Sequence, residues 1–159
     1  MPEIATIGAY GWSAETFFDA LVCEQVGSFC DVRARRGVRG AEYSFANSKR
    51  LQGRLQELGI AYHHRPDLAP TDAVRKAQYA LDAKAGVGKL NRSELSPEFI
   101  SAYRAECLSG FDAEAFLDEV GGHGRICLFC VERDPEACHR SVLAERLASE
   151  GAMVTHLVP

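Results

Sequence analysis

The sequence predicts an α/β fold: a single-domain three-layer sandwich with a mostly parallel sheet of about five strands and helices on both faces. Three observations predict it. Short apolar segments alternate with amphipathic helical segments along the chain. The segment RICLFCVE (125–132) is apolar on both faces, as a central strand covered on both sides must be. The 159 residues, 47% hydrophobic and 25% charged, suit one core without a linker, a repeat or a low-complexity stretch.

Each element has its own signal. EIATIG opens as a strand. GWSAETFFDAL begins a helix with Ser13 as N-cap and Phe17, Phe18, Leu21 and Val22 as its apolar face. SFCDV is the second strand. NSKRLQGRLQELG is helical, with Leu51, Leu55 and Leu58 at helical spacing and Gly59 as its stop. IAYHH is the third strand. The stretch from Arg65 to Arg92 carries weaker signals, with a helix starting at Thr71 after Pro70. Ser96 followed by Pro97 marks a helix running through Tyr103, and another covers Asp112 to Val120. After RICLFCVE, Asp134 and Pro135 open the last helix, which ends at Gly151. AMVTHLV closes the sheet.

Composition narrows the function classes. No apolar run reaches membrane-spanning length, and MPEIATIGAY lacks the regions of a signal peptide, which makes the cytoplasm the expected compartment. The six cysteines then read as reduced thiols. A net charge of −4 disfavours a general nucleic-acid binder. Locally the balance reverses. Arg33, Arg35, Arg36, Arg39, Lys49, Arg50 and Arg54 face only Asp31 and Glu42 between residues 31 and 54, with Tyr43 and Phe45 among them. Such a loop is either a solvated charged segment or a grip for an anion.

Parallel sheets bind ligands at the carboxyl ends of their strands, near the switch in strand order. Residues just after strands are therefore candidates: Ser13, Asp31, Arg33, His64 and Glu132. In strand alternation Glu132 follows Ile126, Leu128 and Cys130 on one face. A buried carboxylate there needs a partner, with Arg33 and Arg140 available. On the helix counted from Pro135, Arg140 shares the face of Leu143, Ala144 and Leu147. That is an unusual place for arginine, and it points to anion binding at a helix start or to an internal ion pair. Cys138 falls opposite that face in the same count. A nucleophilic cysteine beside His139 is thus a lesser alternative, reopened if the helix begins a turn later. Cys127, Cys130, Cys138 and His139 look like a ligand set, but residues three apart on a strand face opposite ways, so no metal is expected. Nucleotide-binding glycine fingerprints are missing too, and no cofactor is expected.

Four stretches, TIGAYGWSAETFFDAL, CDVRARRGVRG, LQGRLQELGIAYHHRPDLAP and LFCVERDPEACHRSVLAERLASEGAMVTHLV, resemble the domain-of-unknown-function family 488, in order and over nearly the whole chain. The resemblance implies a compact α/β domain with a polar cluster from its DVR and CHR elements. By position these are Asp31, Arg33, Glu132, Cys138, His139 and Arg140. Many members carry proline and serine soon after DVR, where this chain has ARRGVRGAEYSF.

Two functions follow from these readings. One is an enzyme, a hydrolase or transferase on a small anionic, phosphorylated or nucleotide-like molecule. In it Arg33 and Arg140 hold the anion, Asp31, Ser13 and His64 assist, and Glu132 acts as general acid or base with His139 and Cys138 as further candidates. The other is a non-catalytic module that binds nucleic acid or protein through the Arg33–Arg54 loop.

Overall fold

A computed structural model describes residues 1–88 and 92–159. Five parallel strands, β1 (Glu3–Ile7), β2 (Val26–Asp31), β3 (Ala61–His64), β4 (Arg125–Phe129) and β5 (Met153–Leu157), form one sheet in the order β3-β2-β4-β1-β5. The sheet is wholly parallel where the sequence predicts a mostly parallel one. As its two-sided apolar pattern requires, β4 lies inside the sheet, with Ile126 beside Ile4 of β1 and Ser28 of β2.

Helices cover both faces. On one side α1 (Ala14–Cys23) and α2 (Ser48–Glu57) set Phe17, Phe18, Leu51 and Leu55 against Phe29, Cys127 and Phe129. Phe17 meets Phe129 edge-on at 5.7 Å. On the other side lie α3 (Asp72–Lys84), α4 (Pro97–Tyr103), α5 (Ala113–Val120) and α6 (His139–Ser149). They bury Val74, Phe99, Tyr103, Phe116 and Leu143 over Ile126, Leu128 and Cys130. Four helix starts are those the sequence marks. Ser13, Thr71, Ser96 and Asp112 each accept a hydrogen bond from a first-turn amide, which satisfies donors the helix itself cannot.

The chain leaves β2 towards α2 on one face and leaves β4 towards α6 on the other. Neighbouring strands whose exits diverge open a crevice at their carboxyl ends. Two expected boundaries near that crevice differ. The fourth strand ends at Phe129, three residues before Glu132, because the chain then turns to give the Val131 carbonyl to the Ala9 and Tyr10 amides. The last helix does not begin at Pro135. Residues Pro135–Ala137 form a single 3-10 turn, Cys138 is extended (φ −137°, ψ 143°), and α6 starts at His139.

Candidate active site

A cavity of about 420 Å³ opens between the ends of β2 and β4, a volume suited to a small ligand. Arg33, Arg35, Arg75, Lys76 and Arg92 line it with Tyr79, Leu95 and Phe99, and Cys130, Glu132, Cys138 and His139 face the same space. Three of the five cations are ion-paired, Arg33 with Asp31, Arg75 with Asp72, and Arg92 with Asp82 and Glu132, so Arg35 and Lys76 give the wall its positive balance.

Cys138 is 1% exposed and serves as the N-cap of α6, its Sγ accepting the Arg140 amide at 3.5 Å. This corrects the expectation that it turns away from the core. The Asp134–Pro135 start belongs to the separate short turn, and the extended Cys138 resets the helical phase. His139, buried beside it, places Nε2 2.9 Å from the Val32 carbonyl and Nδ1 3.8 Å from Cys138 Sγ. The Tyr103 ring meets the imidazole edge-on at 5.4 Å and fixes its plane. Burial pushes the Cys138 thiol up. A hydrogen bond with Cys130 and the positive charges of His139 and Arg140 outweigh it, and the thiol sits well below its ordinary range. Burial likewise pushes His139 down, and the adjacent Cys138 sulfur overcomes that and raises it. Sγ of Cys130, Sγ of Cys138 and an imidazole nitrogen of His139 lie within 4.8 Å of one another, close enough to share a metal ion. Cys127 faces the opposite layer, as strand alternation predicts.

Glu132 is 5% exposed, and its partner differs from the two expected. Its carboxylate lies 3.6 Å from Arg92. Arg92 also donates to Asp82 through Nε (2.8 Å) and Nη2 (2.6 Å), and the Gln78 amide donates to the other Asp82 oxygen at 2.8 Å. Sequence reasoning missed this network. The available signal was the inward face of α3, where Val74, Gln78 and Asp82 recur every four residues and two of the three are polar.

Arg140 is fully buried, as its helical phase predicts. Its guanidinium, however, donates to the main-chain carbonyls of Glu132 (2.7 Å) and Arg133 (3.2 Å) and lies off the cavity wall. It fastens the loop that carries Glu132. Arg33 reaches the wall, but its guanidinium is bound by both Asp31 oxygens (2.8 and 2.7 Å) and the Ala46 carbonyl, over the Phe129 ring. Asp31 also accepts from the Tyr62 hydroxyl. Ser13 is the exposed cap of α1, and His64 Nε2 meets the Arg33 carbonyl at 2.8 Å, so neither lines the cavity. Of the eight residues singled out in sequence, the cavity gathers Arg33, Glu132, Cys138 and His139. In the basic loop and the helix after it, Arg36 meets Tyr62, Arg50 meets Ser44, and Arg54 pairs with Glu57. Among the described residues, no helix is long and apolar enough to cross a membrane.

The fold and this cavity define a parallel α/β protein with a thiol, an imidazole and a carboxylate at the carboxyl ends of its strands. The chain belongs to the family described as Domain of unknown function DUF488, whose model matches residues 13–147. No curated protein and no solved structure matches it.

Proposed function

We propose that the cavity binds a small phosphorylated or nucleotide-like anion and that the protein acts on it as a hydrolase or transferase. One observation carries this reading: a basic wall and a floor of Cys138, His139 and Glu132 belong to the same cavity. Arg35 and Lys76 supply the charge that draws an anion, and Arg75, paired with Asp72, adds further donors beside them. Tyr79 and Phe99 offer flat apolar surface beside it, suited to a base or a sugar ring. In this reading Glu132, held by Arg92, serves as general acid or base on a reacting group within hydrogen-bond reach.

Calorimetric titration with inorganic phosphate, nucleoside monophosphates and sugar phosphates tests it, comparing the unaltered protein with Arg75→Ala/Lys76→Ala. Two lost cation contacts should weaken the best ligand by about 10–100-fold, since about 1.4 kcal/mol corresponds to a factor of ten. Arg54→Ala, on α2 and off the cavity, should leave affinity unchanged. Absence of binding by every anion, or equal affinity in the double variant, would sink the proposal.

A further inference from the structure

The cavity floor has a second property that acid–base chemistry does not use. Two thiol sulfurs and an imidazole nitrogen lie within 4.8 Å of one another, and the three residues that carry them are all buried. This is a donor set for zinc and its close neighbours among the transition metals. Tetrahedral bonds of ordinary Zn–S and Zn–N length put neighbouring donor atoms about 3.6 Å apart. Cys138 Sγ and His139 Nδ1 are 3.8 Å apart.

The surroundings of the donors fit a ligand role. His139 Nε2 is 2.9 Å from the Val32 carbonyl, an acceptor only, so Nε2 carries the proton and donates it there. That bond directs Nδ1 towards the sulfurs and leaves it as the nitrogen a metal can take. Ligating histidines commonly have such an outer carbonyl partner. Tyr103 holds the ring edge-on, and the Arg140 amide donates to Cys138 Sγ, as outer hydrogen bonds do to metal thiolates. All three donor residues line the cavity, so the remaining side of the cluster faces the ligand space.

We propose that Cys130, Cys138 and His139 hold one divalent transition-metal ion of the zinc type, with a fourth coordination position open to the cavity. Three protein ligands and an open position characterise catalytic zinc sites, whereas structural sites are closed by a fourth residue. The open position would accept a water molecule or an anionic oxygen, next to the carboxylate of Glu132. The inference rests on the cavity being the functional site and adds to that reading a Lewis acid at its floor.

The test uses the full chain, reduced, stripped of metal with a chelator, and titrated with Co²⁺ and then Zn²⁺. The expected result is one Co²⁺ per chain with thiolate-to-cobalt charge-transfer absorption, bleached when Zn²⁺ displaces it. Cys130→Ser and Cys138→Ser should each remove one of the two thiolates, lose about half of that absorption and bind at least about 10-fold more weakly, and His139→Ala should bind more weakly with the thiolate absorption retained. Cys23→Ser, at an exposed position on α1, should behave as the unaltered chain. If the site variants do not fold, alkylation of the unaltered protein decides the matter. Zn²⁺ should slow iodoacetamide modification of Cys130 and Cys138, mapped by mass spectrometry, and leave Cys23 unaffected. Absence of the charge-transfer band, its persistence at full intensity in Cys130→Ser, a Cys130–Cys138 disulfide that survives reduction, or alkylation indifferent to Zn²⁺ would each overturn the proposal. Anion binding by the metal-free chain, lost in Arg75→Ala/Lys76→Ala, would keep the anion reading standing if the metal fails. Cobalt binding without any anion binding would do the reverse.

Discussion

Gly8 lies immediately after β1, where the chain passes the loop that carries Glu132. A Cβ at Gly8 would sit 1.8 Å from the Glu132 carbonyl oxygen, 2.7 Å from its carbon and 3.3 Å from an Arg140 guanidinium nitrogen. The first two contacts are impossible without backbone movement, and the carbonyl cannot simply retreat. Arg140 donates to it at 2.7 Å, and the preceding Val131 carbonyl is fixed by the Ala9 and Tyr10 amides at 3.0 Å each. Gly8→Ala must therefore displace the loop and break the charged hydrogen bond. Overpacking costs about 1–3 kcal/mol and a hydrogen bond to a charged group contributes about 1.5–3 kcal/mol, so a loss of about 3–5 kcal/mol is expected. For a chain of this size that corresponds to a fall in Tm of about 6–20 °C. Urea midpoints and thermal scans measure it. Gly53→Ala is the matched control, since a Cβ there meets nothing within 4 Å inside α2 and should stabilise by about 0.5–1 kcal/mol. A Gly8→Ala protein within about 1 kcal/mol of the unaltered one would refute the claim that Arg140 clamps this loop.

Two further outcomes are expected. Asp31→Ala should destabilise the protein by about 3–5 kcal/mol in urea, because it leaves the Arg33 guanidinium buried without its carboxylate; adding Arg33→Met should recover part of that loss, and failure to do so would place the cost elsewhere. His156 gives a pH dependence. Desolvation and the Arg140 charge lower its pKa against the pull of Glu136 and Glu145, and its Nδ1 lies 2.7 Å from the Thr6 hydroxyl. The fold thus favours the neutral ring, whose contribution is complete above the unfolded pKa of about 6.5 and is lost as pH falls through the lower folded value. Thermal scans from about pH 8 to pH 5 should show a shallower acid loss in His156→Gln than in the unaltered protein, and identical slopes would count against the assignment.

The sheet and all helix starts but the last were legible where each rests on local chemistry. Ser13, Thr71, Ser96 and Asp112 mark their helices by what a side-chain oxygen does for the first amides, whatever packs nearby. RICLFCVE announces its interior place through residues apolar on both faces, with Ile126 and Leu128 towards one layer and Cys127 and Phe129 towards the other. The partners of the buried charges were not legible. Glu132 could be assigned to Arg33 or Arg140 from sequence, yet it lies against Arg92, forty residues earlier on the connection between α3 and α4. Nothing local encodes such a pairing, because it follows from two helices converging on one strand end.

The CHR element shows why phase arguments must be counted from the body of a helix and not from its first cap signal. Asp134 and Pro135 satisfy every local rule for a helix start, but the turn they begin lasts only through Ala137. Counting back from Leu143 and Leu147 places Arg140 inward, and Arg140 is indeed buried. Counting forward from Pro135 places Cys138 outward, and there the one extended residue breaks the count. The same extended residue is what aims the Cys138 sulfur at Cys130 and His139 instead of along a helix face. Arg140 then holds the main chain at Glu132 and Arg133 while its own amide donates to the Cys138 sulfur that caps α6. One buried arginine thereby fixes the thiol and the carboxylate relative to each other. Its role is therefore geometric, and Arg140→Lys, which keeps the charge but not the forked donor set, should shift the main chain at Glu132.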